Sequence, residues 1–466
     1  MAPATAPHQL MQLFNRHIST RSLTVFTTEL VLIFGSVALA SSLLNGAALA
    51  DSLWRIALVT VVCQLCLYYN DFYDLTLVHS SRELIVRLLQ SVGAASIVLA
   101  AIYFVRPELM IGDGIFVSAL FVFLVAILAW RLLFNRLSGS LNLQERILVV
   151  GTGETARKVV RQILDQRDFA YTVIGFIDDD PARIGERIVN PGVIGTPSDI
   201  PALVAAHRVD RIIVGLSDRR GKLPVDELLV AKVAGVRVED ATTTYERVTG
   251  KILIDDLRPS WLIFSEGFRV SRATRWMKRT IDLTLAVTLA IASFPFMVIT
   301  ALGVWLESGR PVLYAQERVG ENGRVFTLRK FRSMRQDAEH GQPLWASDQD
   351  ERVTRVGRFI RTTRLDELPQ LWNVMRGDMS FVGPRPERPY FVAELAKQIP
   401  FYQQRHAIKP GITGWAQVKY RYGSSLEDAM EKLRYDLYYI KHVSIFFDLT
   451  IVFDTVKVVL FRKGAA

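Results

Sequence analysis

Two acidic residues stand side by side in Arg361-Thr-Thr-Arg364-Leu365-Asp366-Glu367-Leu368-Pro369-Gln370. Taken alone, that pair reads as a helix start, because acids favour a first turn and proline is tolerated there. The basic surroundings point to different chemistry. Lys330 and Arg332 lie in Lys330-Phe-Arg332-Ser-Met334, and Arg385 sits between prolines in Gly383-Pro384-Arg385-Pro386. Pro384 fixes its own φ, and Pro386 biases Arg385 towards an extended backbone. Such a loop can offer both a guanidinium and backbone N–H groups to a phosphate. An acidic pair in this setting suits phosphoryl transfer, one carboxylate acting as nucleophile and the other holding Mg²⁺ between phosphate oxygens.

A second constellation is glycine-rich. Arg146-Ile-Leu-Val-Val reads as a buried strand and runs into Gly151-Thr-Gly153-Glu-Thr-Ala156, followed by a helix to about Leu164. In that context Gly151, Gly153 and Ala156 fit a dinucleotide fingerprint, with the pyrophosphate at the helix start and Asp178 placed to bind ribose hydroxyls. Small residues that only allow tight strand–helix packing account for the pattern equally well. Sugar redox chemistry of the short-chain epimerase type would call for Tyr-x-x-x-Lys, and no tyrosine in the chain has a lysine four residues later.

These groups must be positioned by three kinds of segment. The chain has 466 residues, of which 50% are hydrophobic and 22% charged, and its mean hydropathy is +0.22. A soluble globule rarely averages so high, so part of the chain is expected in lipid. Four uncharged runs crowd the first third: Leu30–Ala50, Ile56–Asn70, Leu88–Val105 and Gly114–Trp130. Each extends to roughly 20 residues with a flanking polar group, the length of a membrane helix. Ala38-Leu39-Ala40 resembles a signal-peptidase site, but the apolar run continues through Leu44, which favours an uncleaved anchor. Arg16 and Arg21, then Arg82 and Arg87, then Arg131, Arg136 and Arg146 mark alternate loops, placing the N-terminus and everything after Arg131 in the cytoplasm. Cys63 and Cys66, the only cysteines, share a helix face and read as packing residues. They exclude a disulfide scaffold and a Cys-based zinc domain. The net charge of +10 suits anionic lipid, phosphate-bearing substrates or nucleic acid.

Strands at 173–178, 211–216 and 236–240 alternate with helical patterns at 200–206 and 225–234, which predicts a parallel, doubly wound, Rossmann-like sheet ending near Pro259. Then Arg269 to Arg279 is basic and amphipathic, and Leu283 to Leu306 carries no charge but holds Pro295. Val312–Val319 and Val325–Phe331 flank Glu321-Asn322-Gly323-Arg324, a hairpin signature because Asn and Gly tolerate positive φ. The final apolar segment, Ile445–Phe461, carries Asp448, Asp454 and Lys457, which suits a helix lying in the membrane interface.

Five motifs resemble, in order, those of the bacterial sugar transferases, the monotopic phosphoglycosyl transferases. They are Lys278-Arg279-x-x-Asp282, Lys330-Phe-Arg-Ser-Met334, Leu365-Asp-Glu-Leu-Pro-Gln370, Gly383-Pro-Arg-Pro386 and Lys409-Pro-Gly-Ile-Thr-Gly-Trp-Ala-Gln-Val418. The resemblance covers about residues 276–464. With the preceding helices and α/β domain it looks like the large subclass, the undecaprenyl-phosphate glucose or galactose phosphotransferases of exopolysaccharide synthesis. It implies a multi-domain membrane protein: a four-helix transmembrane bundle (1–140), a Rossmann-like α/β domain (145–259), and an α+β catalytic domain (269–466) with a re-entrant helix at 281–306. It implies that Asp366 attacks the β-phosphate of a UDP-hexose, UMP leaves, and undecaprenyl phosphate takes the phosphosugar from the enzyme. Glu367, with Asp366, would hold Mg²⁺. Lys330, Arg332, Arg361, Pro384, Arg385 and Pro386 would bind phosphate, and Lys278 and Arg279 would meet an anionic lipid head group or serve as ordinary positive-inside anchors. The expected partners are UDP-hexose, undecaprenyl phosphate and the bilayer, without nucleic acid and with room for a homodimer. The expected location is the bacterial inner membrane, multi-pass, with a cytoplasmic catalytic domain. The family often has Ser directly before the helix-breaking proline; here Phe294 separates Ser293 from Pro295.

Two rival readings follow from the same residues. A membrane-anchored nucleotide-sugar dehydratase or epimerase would use the α/β domain, against which the missing Tyr-x-x-x-Lys counts. A non-enzymatic membrane sensor would leave the C-terminal part inert, against which the intact Asp366-Glu367 pair counts.

Overall fold

The computed structural model describes residues 20–45, 49–70, 72–73, 81–111, 115–140, 145–165, 171–216, 223–254, 267–268, 270–335, 352–420, 423 and 425–461. The chain divides into two compact units, one holding residues 17–244 and the other residues 245–466.

The first unit opens with four apolar helices: α1 (Thr20–Asn45), α2 (Leu49–Tyr69), α3 (Ser81–Val105) and α4 (Ile115–Ser140). Each turns one stripe inward, for example Ile56, Val59, Cys63 and Leu67 on α2, and Leu88, Val92, Ala95 and Leu99 on α3. Steps of three and four residues keep such a stripe on one helix face. α1, α2 and α3 are long and apolar enough to cross a membrane, and α4 holds a shorter apolar stretch, Ser118–Arg131. The bundle also buries an ion pair. Arg131 Nε lies 2.7 Å from Glu29 Oε1, and the same guanidinium donates to the Phe72 carbonyl at 3.2 Å. Pairing is what makes such charges tolerable between apolar helices.

Next comes a five-stranded, wholly parallel sheet in the order β3-β2-β1-β4-β5. Its strands are β1 (Glu145–Val150), β2 (Tyr171–Ile177), β3 (Val193–Gly195), β4 (Arg211–Val214) and β5 (Arg237–Asp240), with helices α5 (Glu154–Asp165), α6 (Ile200–His207) and α7 (Val225–Val233) between them. This is the expected doubly wound pattern. The three-residue β3 escaped sequence reading because it is too short to carry an alternation. Helix α8 (Ala241–Thr249) follows β5.

The second unit begins earlier than the sequence suggests. Residue 259 lies outside the described residues, but Ile252 and Ile254 are already buried in the core of the second unit, beside Trp415, Tyr438 and Phe447. Its longest element is α9 (Arg272–Ser308), 37 residues that remain helical through Pro295. The expected helix–break–helix is thus one uninterrupted helix: proline removes a single N–H donor, and the turns on either side keep theirs. Ala286, Ala290, Met297, Ala301 and Val304 face the unit's core, while Val287, Ile291, Phe294, Val298, Leu302 and Trp305 face outward.

A hairpin of β6 (Leu313–Val319) and β7 (Val325–Phe331) pairs Val319 with Val325, and its loop holds Asn322 (φ 56°) and Gly323 (φ 77°) as the turn signature requires. Then come α10 (Arg355–Thr362), α11 (Gln370–Arg376), β8 (Ser380–Val382), α12 (Pro389–Gln398), β9 (Gly411–Thr413), α13 (Trp415–Lys419), α14 (Leu426–Lys441) and α15 (Ile445–Phe461). β8 and β9 pair in parallel. α15 exposes Phe446, Leu449, Phe453, Val456 and Val459 and buries Asp448 and Asp454.

Candidate active site

Asp366 and Glu367 lie in a single tight turn, Leu365–Glu367, entered through Arg364 in the left-handed region (φ 60°). Leu365 and Leu368 on either side pack against Val304, Phe331 and Ile360. Burying the flanking leucines fixes the turn and leaves the acids between α10 and α11. Pro369 then opens α11, and Gly377 (φ 96°) closes it.

Glu367 is surrounded by cations. Its Oε1 lies 3.3 Å from Lys330 Nζ, 3.3 Å from Arg385 Nη2 and 3.6 Å from Arg364 Nη1. Burial alone would push its carboxyl up, but Lys330, Arg385 and Arg364 outweigh that and hold it down at about 2. Asp366 responds in the opposite sense. Burial pushes it above the ordinary carboxylate range, the pull of Lys330 offsets this only in part, and the Glu367 charge adds to the rise, against Arg364 and Arg361. Its Oδ1 is buried with no hydrogen-bond partner in the protein. The pair is therefore split by environment: one acid held ionised among matching cations, and one more basic acid with a bare oxygen.

The expected Mg²⁺ ligands fit that donor set. Among the described residues no cluster of three His, Cys, Asp or Glu side chains exists that could hold a metal by itself. Two carboxylates suit Mg²⁺, which usually takes one or two from protein and the rest from water and phosphate.

The loop bearing Arg385 is held by its backbone. Gly383 N–H donates to the Thr413 carbonyl and Gly411 N–H to the Pro384 carbonyl, both at 2.9 Å. Arg405 donates to the Arg385 carbonyl at 3.0 Å and Arg318 to the Pro386 carbonyl at 3.0 Å. Arg405 is itself buried against Asp436 at 2.8 Å. Lys330 comes from β7, which Asn373 of α11 docks by donating to the Thr327 carbonyl at 2.8 Å and accepting from Arg329 N–H at 3.3 Å.

The structure thus gathers Asp366, Glu367, Lys330, Arg361, Arg364, Arg385 and the Pro384 and Pro386 loop. Arg332, expected at phosphate, and Lys278 and Arg279, expected at a lipid head group or as positive-inside anchors, lie elsewhere. Lys278 Nζ is 2.6 Å from Asp448 and also donates to the Val382 carbonyl (3.0 Å) and Tyr439 hydroxyl (3.1 Å). Arg279 donates to the Val374 and Met375 carbonyls at 2.6 and 2.8 Å, capping the end of α11. Arg332 is buried and closes the end of α9 through the Ser308 and Gly309 carbonyls, each at 2.6 Å. These cations staple α9 to the unit, and none of them contacts the acidic pair. Arg364, Asn373 and Arg405 were missed as site residues. Arg364 stood in the quoted motif, but nothing local marks Asn373 or Arg405.

In the α/β domain, a side chain on Gly151 (φ 96°) would strike Leu216, and one on Gly215 would meet Ala156 at 2.6 Å. Asp178 is bonded to Thr152 and lies 2.7 Å from Arg183. Gly151, Gly215 and Ala156 lie where β1, β4 and α5 pack closely, and Asp178 is engaged by Thr152 and Arg183 of its own domain.

Residues 273–462 match the family described as bacterial sugar transferase, and residues 69–223 match a CoA-binding domain. The chain is 45% identical over 264 residues to the UDP-N-acetylgalactosamine-undecaprenyl-phosphate N-acetylgalactosaminephosphotransferase of Aeromonas hydrophila, covering 56% of this chain and 62% of that one. It is 39% identical over 358 residues to the UDP-galactose-lipid carrier transferase of Erwinia amylovora, 69% of each chain. It is 28% identical over 488 residues to the UDP-glucose:undecaprenyl-phosphate glucose-1-phosphate transferase of Xanthomonas campestris pv. campestris, 100% and 99% of the two. The chain therefore belongs to the bacterial sugar transferase family.

Proposed function

We propose that this chain transfers a sugar 1-phosphate from a UDP-sugar to undecaprenyl phosphate and releases UMP. The observation that carries the reading is the split acidic pair: a buried, bare Asp366 oxygen beside a Glu367 matched by Lys330, Arg385 and Arg364. In this reading Asp366 attacks the sugar-bearing phosphorus. The phosphoanhydride P–O bond breaks, and UMP departs with the electron pair. An oxygen of undecaprenyl phosphate then attacks the same phosphorus, the acyl-phosphate P–O bond breaks, and Asp366 is regenerated. A carboxylate approaching a diphosphate meets like charge, and the cations around the pair screen that repulsion. Burial raises the basicity of Asp366, which strengthens it as a nucleophile. When bound by Asp366 and Glu367, Mg²⁺ would neutralise further charge on the phosphate oxygens.

The donor is a UDP-hexose of the glucose or galactose type, and the Aeromonas relative adds N-acetylgalactosamine to the sugars worth testing. The setting is the cytoplasmic face of a bacterial inner membrane, at the first membrane step of exopolysaccharide or capsule synthesis. Helix α9 supports entry into one leaflet without crossing. Its inner face packs on the second unit from Ala286 to Val304, and side chains on either side of that stretch accept hydrogen bonds from the unit, Asp282 from Phe381 N–H and Glu307 from Arg355 and Val356 N–H. A crossing α9 would carry the part of the second unit packed along its inner face into hydrocarbon, where charged groups and irregular backbone are costly.

Intact-protein mass after mixing with a panel of UDP-sugars tests the reading. A gain equal to a hexose phosphate (or N-acetylhexosamine phosphate), lost on adding polyprenyl phosphate and absent in Asp366→Asn, is expected. Strict dependence of UMP release on both substrates, with no adduct after rapid quench, would instead mean direct transfer and remove Asp366 as nucleophile.

A further inference from the structure

The loop that carries Arg385 is backed by Gly414, and the residue after it is held by a segment from outside the matched transferase region. Gly414 packs so closely on Gly383 that an added Cβ would lie 2.2 Å from the Gly383 carbonyl oxygen. The next residue, Trp415, donates its indole N–H to the Gly250 carbonyl at 2.9 Å. Gly250 (φ 66°) leaves room for the indole, since a Cβ there would meet the ring at 3.2 Å. Residues around Gly250 are anchored on α14. Ile252 N–H donates to the Arg434 carbonyl at 3.1 Å, and Lys251 pairs with Glu431. Glu246, buried, accepts from Lys441 at 2.8 Å and bonds His442 at 2.7 Å.

We propose that residues 246–254 form a positioning strap that holds Trp415 and, through the Gly414–Gly383 backbone contact, sets the Arg385 loop against Glu367. The inference takes that pair as the reaction centre proposed above. Close-packed backbone with no spare volume passes a displacement on, whereas spatial intermediacy alone does not establish coupling. The test must therefore read the loop directly.

Trp415→Phe deletes the indole donor and keeps an aromatic ring. Glu246→Gln weakens the strap's anchor at a distance from the loop. The full chain in detergent is followed by hydrogen exchange at Gly383 and Gly411 N–H and by UMP release per folded molecule. Each variant is expected to speed exchange at these two positions about tenfold and to slow turnover about three- to tenfold, the range one hydrogen bond supports. The double variant should be no worse than the more severe single, since both act through one element. If Trp415→Phe fails to fold, Glu246→Gln carries the test. Parental exchange at Gly383 and Gly411, with only the thermal midpoint lowered, would overturn the strap and leave a purely structural contact. Faster loop exchange in variants of a parent that releases no UMP would uphold the strap and refute the transferase reading.

Discussion

Replacing Glu367 by Gln separates the two halves of the acidic pair. The parent carboxyl is held at about 2, against an ordinary 4.5. A depression of that size corresponds to ~3 kcal/mol of folding stability. Because the folded-state value is the lower one, that stability is complete above pH 4.5 and drains away as the pH falls towards 2. The variant lacks it throughout. Denaturant unfolding in detergent, followed by tryptophan fluorescence, should show Glu367→Gln weaker by ~3 kcal/mol at pH 7, with the gap about halved at pH 3 and nearly closed by pH 2. Asp366 supplies the opposite sign. Its carboxyl is raised, chiefly by burial and also by the Glu367 charge, so ionising it at neutral pH opposes folding, and Asp366→Asn should be at least as stable as the parent at pH 7. Removing the Glu367 charge should also let Asp366 ionise more easily. The acid limb of the residual UMP-release profile should then move to lower pH in Glu367→Gln, even as turnover falls. Equal stability at pH 7, a gap that widens on acidification, or an acid limb displaced upward would refute the electrostatic account.

Lys278→Met leaves Asp448 buried without its cation and should cost about 3–5 kcal/mol, partly restored by adding Asp448→Asn. A raised KM for the lipid acceptor with unchanged stability would return Lys278 to a head-group role. For topology, cysteines placed at the exposed Arg272 and Arg310 should react with an impermeant reagent only from the cytoplasmic side. Periplasmic labelling at position 310 would mean that α9 crosses the bilayer.

Local patterns made much of the protein legible. Uncharged apolar runs of membrane-helix length mark α1 to α4, and alternating strands and helices announce the parallel sheet. Asn322-Gly323 announces the hairpin. Asp366, Glu367, Lys330 and Arg385 could be gathered into one site because each sits in a short motif whose chemistry is readable before its neighbours are known. What stayed hidden were the destinations of charges. Lys278, Arg279 and Arg332 border an apolar helix, and from sequence such cations look like head-group ligands. Only folding shows that they end on Asp448, on the α11 carbonyls and on the end of α9. Asp448 in an apolar helix looked like an interfacial residue until its partner 170 positions away was in view.

Glu29 and Arg131, 102 residues apart, behave alike. So do Trp415 and Gly250, which bring into the second unit a segment that composition had assigned to the preceding domain. The sequence by itself determined which segments are apolar, which turns are possible and which residue types can handle phosphate, because those are properties of neighbours along the chain. The tertiary structure alone decided which charges are matched and which oxygen is left bare. An ion's partner is chosen by proximity in three dimensions, and burial then decides whether its carboxyl is driven up, as at Asp366, or held down, as at Glu367.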